Sequence, residues 1–295
     1  MKTATKVSAY GLALAIVFGG AWAAGAAAGP VGGTSAPTGH DHSAAAQGHE
    51  GMNDQPTGDI PPGLSVSQHG YTLNLDSNEA TPGTQQQFRF HITGPDSKPV
   101  TRYAVEHDKR LHFVVARRDG SGYQHLHPEL AEDGTWSVPL TLPAAGSYRV
   151  FADFTPEGGP QTTLGADIQA PGAYEPQQHR AGTRVSTVDG YTVRLDGDLT
   201  TGKPSSVTAT VTRDGQPVRD LQPYLGAYGH LVALRSADLA YLHVHPQGQP
   251  GDGVTAAGPA IGFAVEVPTA GQYRLFLDFQ HDGQVRTAEF TLDAS

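Results

Sequence analysis

The chain has 295 residues, enough for one or two domains of ordinary size, each able to bury a core. Its 29 acidic against 19 basic side chains give a formal charge of -10, which argues against nucleic acid and anionic membrane surfaces as partners and favours cations. Cysteine is absent, which excludes disulfides, thiolate metal sites and a cysteine nucleophile, and 37 Gly with 22 Pro among short Val-, Thr- and Tyr-bearing runs favour strands and turns over long helices.

The first element in chain order is hydrophobic. Lys2 and Lys6 precede an uncharged stretch from Val7 to Val31 that will engage the export machinery. The apolar run Leu12 to Phe18 followed by Ala21-Trp22-Ala23 has the shape of a signal peptide with its cleavage site. More than twenty uncharged residues also suffice to cross a bilayer as an anchoring helix, so residues 1–31 are read as one or the other. Either outcome makes the remainder extracytoplasmic, secreted or anchored to the cell membrane, with the membrane a partner only if the segment stays uncleaved.

Residues 32–63 are small, polar and punctuated by Gly and Pro, and predict a disordered tether. Within it, His40, His42 and His49 beside Asp41 and Glu50 form a composition able to capture borderline metal ions without a fold, or simply a solvated spacer.

Beyond residue 63 the chain repeats itself. "GYTLNLD" at Gly70 returns as "GYTVRLD" at Gly190, "LHFVVARRDGSGYQHLHP" as "GHLVALRSADLAYLHVHP", and "AAGSYRVFADF" as "TAGQYRLFLDF". An insertion near 247–260 lengthens the second copy. Residues 64–170 and 184–295 are thus predicted as two domains joined by a linker at 171–183. Each holds about seven short alternating runs between turn signals, the pattern of a two-sheet sandwich. The predicted fold is all-β: two tandem immunoglobulin-like antiparallel β-sandwiches after an N-terminal hydrophobic helix and a disordered linker. Tyr148 and Tyr273, entered by Gly-x-Tyr steps, resemble tyrosine corners whose hydroxyls tie a connection to the backbone.

The chemistry lies in the histidines. Residues two apart on a strand point the same way, so His125 and His127 share a face. A hairpin turning at Asp119-Gly120 sets His112 opposite His127, which gathers three imidazoles on one patch. The second copy repeats the spacing with His230, His243 and His245, which predicts one site per sandwich. Three neutral imidazoles suit Zn(II) or Cu(II), and a carboxylate often completes such a set. Asp153 and Asp278, at matching places in "RVFADF" and "RLFLDF", are the candidate fourth ligands. Each could instead pair with the arginine four residues earlier, Arg149 or Arg274. His69, His91, His107, His179 and His281 have no counterpart in the other copy and read as surface or locally hydrogen-bonded residues.

Other chemistries fit less well. A cupin reading lacks the glycine before its His-x-His motif and has no second motif. A metal-dependent hydrolase or oxidase would need a general base that the sequence does not supply at a persuasive place, nor is there a nucleophile elbow, a His-Glu-x-x-His helix or a phosphate loop. A non-catalytic structural or interaction tandem with incidental histidines remains open.

The "DSKPV" and "DGQPV" turns, the His-x-His-Pro signatures and "AGxYRxFxDF" resemble the YtkA-like and CopC-like extracytoplasmic β-sandwich domains, as in secreted or membrane-anchored actinobacterial proteins. This resemblance implies an immunoglobulin-like sandwich and a connection with copper or other heavy-metal handling in the envelope. The chain departs from CopC-like proteins in lacking an N-terminal histidine after a clear cleavage site. Methionine occurs only at Met1 and Met52, so a Cu(I) methionine site is unsupported. The expected function is to bind or buffer Cu(II) or Zn(II) outside the cell, without enzymatic activity.

Overall fold

The computed structural model describes residues 60–295, the side chain of His243 excepted. The expected anchor or signal at 1–31 and nearly all of the tether at 32–63 lie outside the described residues. Strands and turns, with no helix, make up the described residues. The high content of glycine and proline is what selects that outcome.

In the first copy, β1 (Ser67–Gln68), β2 (Tyr71–Leu75), β3 (Gln86–Thr93), β7 (Thr135–Leu140) and β6 (Glu129–Leu130) form one antiparallel sheet in the spatial order β1-β2-β3-β7-β6. The facing sheet has the order β5-β4-β8-β9, from β4 (Leu111–Arg117), β5 (Gln124–Leu126), β8 (Gly146–Phe154) and β9 (Thr162–Ala170). With β2, β3, β7 and β6 in the places of strands A, B, E and D, and β5, β4, β8 and β9 in those of C′, C, F and G, this is the arrangement of immunoglobulin-like sandwiches. Phe90 stacks on Phe113 with ring centroids 4.9 Å apart between the sheets, and Trp136 Nε1 donates to the Tyr103 hydroxyl at 3.2 Å.

The second copy repeats the plan. Strands β10 (Val185–Val188), β11 (Tyr191–Asp196), β12 (Pro204–Arg213), β17 (Ala260–Glu266) and β16 (His245–Pro246) form one sheet, with β13 (Gln216–Pro217) on β12. β15 (Tyr241–His243), β14 (His230–Arg235), β18 (Gly271–His281) and β19 (Gln284–Ala294) form the other. The insertion near 247–260 is the connection between β16 and β17. Both tyrosine corners are present: the Tyr148 hydroxyl donates to Ala144 O at 2.9 Å and the Tyr273 hydroxyl to Thr269 O at 2.8 Å.

Alternation, the usual mark of a half-buried strand, fails in β4 and β8. Every residue of "LHFVVAR" is buried, and so is every residue of "YRVFADF" from Tyr148 on in β8. One face of each strand fills its own core; the other packs on the second sandwich. Val114, Ala116 and Phe151 from the first copy meet Val232, Leu234, Leu239, Tyr241 and Phe276 from the second in a separate apolar layer. Tyr123 lies flat on Phe276, centroids 4.0 Å apart and planes 3° from parallel, while Phe151 packs on Tyr241 at 5.6 Å. These two aromatic pairs occupy equivalent repeat positions with the copies exchanged, so the two sheets meet about a pseudo-twofold axis. All described residues accordingly fall in one compact unit.

A short strap breaks this symmetry. Tyr241 N donates to Pro62 O at 2.9 Å, Gly63 N to Thr163 O at 2.9 Å, and Gly165 N to Ser65 O at 2.8 Å, so residues 62–65 are stitched to both copies. Arg149 Nε donates to Gly63 O at 2.7 Å. The equivalent Arg274 Nε reaches Gly120 O of the first sandwich instead, at 3.1 Å.

Candidate metal centre

The β4–β5 register pairs Val114 with His125 and Val115 with Gln124, the alignment read from the turn at Asp119-Gly120. In the second copy Val232 pairs with His243 and Leu234 with Tyr241, again as read. His112 lies across from Asp153 in the β4–β8 ladder, and His230 across from Asp278 in the β14–β18 ladder. All four are buried, on the faces turned toward the other sandwich.

Because those faces meet, the histidines of the two copies meet. His125 and His127 have ring centroids 4.8 Å apart, and His112 is 5.2 and 5.3 Å from them. His230 stacks on His112 at 5.4 Å with planes 12° apart and stands 4.8 Å from His125. Ligand atoms of His112, His125 and His127 lie within 4.8 Å of one another, as do those of His125, His230 and Asp278. Among the described residues, the expectation of one site per sandwich gives way to a cluster shared between them.

The second trio does not assemble as expected. β15 belongs to the sheet with β14, whereas β16 pairs with β17 in the opposite sheet, so the chain changes sheets between His243 and His245. Val244 is buried in the core at the crossing, and His245 is exposed on the other sheet, paired with Ala264. The side chain of His243 lies outside the described residues. In the first copy the crossing comes later, between β5 and β6, which leaves His127 beside His125.

Asp278 joins the cluster: its Oδ2 accepts a bond from His125 Nδ1 at 2.8 Å and its Oδ1 one from Thr287 Oγ1 at 2.6 Å. Asp153 accepts the matching bond from Thr163 Oγ1 at 2.9 Å, but it belongs to neither close ligand group among the described residues. The alternative of Arg–Asp pairing along one strand is not what forms. Arg149 pairs with Asp167 at 3.0 Å, and Arg274 pairs with Glu289.

The hydrogen bonds run in one direction. Glu106 O can only accept, so His112 Nε2, 3.2 Å away, donates to it. With that ring neutral, its Nδ1 accepts from His125 Nε2 at 3.0 Å, and His125 Nδ1 donates to the Asp278 carboxylate. Both nitrogens of His125 therefore face acceptors. The side chains of His125 and Asp278 are each only 2% exposed, which makes theirs a buried pair rather than a surface contact.

Burial first, then the charge of His125, lowers the His112 pKa to about 4 against the opposing pull of Asp153 and the Glu106 carbonyl. Burial, followed by His125, His112 and Lys109, lowers that of His127 to about 2. Both rings are neutral at pH 7, the state in which imidazole donates a lone pair to a metal. His127 Nε2 is buried with no hydrogen-bond partner among the described residues. Burial and then the Asp278 charge push the phenols of Tyr123 and Tyr224 upward.

His107 is the member that the sequence did not disclose. Its ring lies 6.1 Å from His112 and 5.7 Å from His230, on a turn where its φ is 48°. The matching turn of the second copy carries Leu225 at φ 56°, so comparison of the repeats alone hides it. Of the other unmatched histidines, His69 bonds to Thr162 and His281 to Tyr191 and Asp220.

A family model described as a domain of unknown function, DUF8832, matches twice, at residues 65–175 and 186–295. The chain belongs to this family. Each DUF8832 copy covers one sandwich, and the cluster is built where two copies meet. No curated protein matches the chain. Among solved structures, the adhesin FdeC of Escherichia coli is similar at 13% identity over 78% of this chain and 66% of its own, with a TM-score of 0.28. Invasin, a bacterial integrin-binding protein, is similar at 12% identity over 76% of this chain and 39% of its own, TM-score 0.21. An alpha-2-macroglobulin of Salmonella is similar at 12% identity over 79% and 15%, TM-score 0.25. The chain spans less than two thirds of each of these proteins.

Proposed function

We propose that this protein binds a divalent transition metal, Zn(II) or Cu(II), in the junction between its two sandwiches, outside the cytoplasmic membrane and without catalysing a reaction. The observation that carries this reading is the convergence of His112, His125, His127 and His230 with Asp278 in a buried, histidine-rich pocket. Imidazole and carboxylate are the ligand set of borderline divalent ions, and no methionine lies among the described residues to hold Cu(I). The net charge of -10 favours a cationic cargo. The extracytoplasmic location rests on the sequence of residues 1–31, and storage or delivery of the ion is the role that such a site would serve in the envelope.

A second reading is a metal-free interaction scaffold. It is supported by the apolar layer of Val114, Phe151, Tyr241 and Phe276, which packs the two sandwiches together without help from an ion. Calorimetric titration with Zn(II) separates the two. The full chain is used with His40, His42 and His49 changed to Ala, so that the tether contributes nothing. Tight uptake is expected, and His125→Ala, which removes the residue common to both ligand groups, is expected to abolish it or weaken it strongly. No uptake by the parent chain supports the scaffold. Uptake that His125→Ala leaves unchanged contradicts a site at the junction.

A further inference from the structure

We infer that His125 bridges two metal ions, one held with His112 and His127 and the other with His230 and Asp278. The inference rests on the metal-binding reading above and adds the number of ions and their connection. The two ligand groups share His125 and nothing else. Its two ring nitrogens address different partners: Nε2 lies 3.0 Å from His112 Nδ1, and Nδ1 lies 2.8 Å from Asp278 Oδ2. The lone pairs of an imidazole point away from each other in the ring plane, so no single ion takes both nitrogens. An ion among the first group, at Nε2, leaves Asp278 at Nδ1 with His230 grouped beside it. A carboxylate there could serve merely to orient a ligating histidine, a common arrangement. That role needs Asp278 alone, whereas the structure also brings a ligand atom of His230, from the same sandwich, within 4.8 Å of ligand atoms of both His125 and Asp278.

In the apo network each nitrogen of His125 places a hydrogen between itself and an acceptor. On loading, both N–H bonds break, two N–metal bonds form and two protons leave to the buffer; no electron is transferred. The ring becomes an imidazolate, which transmits magnetic coupling between two Cu(II) ions.

The test is a Cu(II) titration of the full chain with His40, His42 and His49 changed to Ala, followed by metal analysis and electron paramagnetic resonance. Expected are two ions per chain, with a resonance signal that grows to one equivalent and collapses as the second ion binds. Asp278→Asn is expected to hold one ion with full signal intensity. One ion per chain in the parent overturns the bridge while leaving the metal site standing, with Asp278 as an orienting group. Two ions with undiminished signal also overturn it. No ion at all defeats the proposed function itself.

Discussion

Replacing Phe276 by Ala probes the face-to-face packing on which the shared cluster depends. Phe276 is fully buried, lies flat on Tyr123 at 4.0 Å, and has the Arg274 guanidinium 5.1 Å from its ring centroid. Its loss opens a cavity between two sheets that each pack on their own core, which leaves little freedom to collapse. Phe→Ala changes of this kind cost about 3–5 kcal/mol, a figure that already contains the ~0.5–1.5 kcal/mol of a stacked aromatic pair. Tyr123 cannot easily swing in to fill the gap, because its other neighbours in the layer include the buried Tyr241 and Phe151. A loss of about 4 kcal/mol is therefore expected by urea titration of the full chain with unchanged slope, and roughly 1 to 2 kcal/mol for Phe276→Leu, which keeps most of the volume. Asp278 lies two residues along the same strand, so Phe276→Ala also weakens metal uptake. A loss below ~1 kcal/mol for the Ala variant would refute the packing of the two sheets on each other.

Acid should destabilise the apo protein in a defined window. His112 has its folded pKa near 4 against an ordinary 6.5, so the unfolded chain takes the proton first as pH falls. The stability contributed by the neutral ring is complete above pH 6.5 and is lost on the way to about 4. Near pH 5 the loss is about 2 kcal/mol for this ring, and His112→Gln should remove that part of the difference between urea midpoints at pH 7 and 5. Tyr148→Phe and Tyr273→Phe each remove one tie to the backbone and are expected to cost ~1 kcal/mol by thermal or urea unfolding; no change in either would show the corners to be incidental. Gly165→Ala would place a Cβ 2.0 Å from Gly63 O, so the strap at 62–65 must move. A loss of about 1–3 kcal/mol with easier proteolysis ahead of residue 66 is expected, and a neutral outcome would mean that the strap is not held against β9.

Much of the architecture was legible because repeated residues carry local rules. The Gly-x-Tyr steps announced both corners, and the turn positions fixed the hairpin registers that bring His125 opposite Val114. The shared cluster was not legible, because alternation describes one sandwich at a time. "LHFVVAR" and "YRVFADF" carry apolar or small residues on both faces, which in retrospect marks sheets covered on both sides. That cue would have pointed to the junction, though not to which histidines meet there. His245 misled because spacing of two implies a common face only while the strand continues, and the chain changes sheets at Val244. His107 stayed hidden because its approach comes from a left-handed turn, where strand periodicity says nothing.

The most direct measurement is an anomalous difference map from crystals of the full chain loaded with Zn(II), recorded at the zinc edge. Density is expected between the two sandwiches, bounded by His112, His125 and His127 on one side and by His230 and Asp278 on the other. Peaks separated into one per sandwich, away from the junction, or a junction empty of metal in saturated crystals, would contradict the convergence of His230 and Asp278 with the histidines of the first sandwich on a common centre.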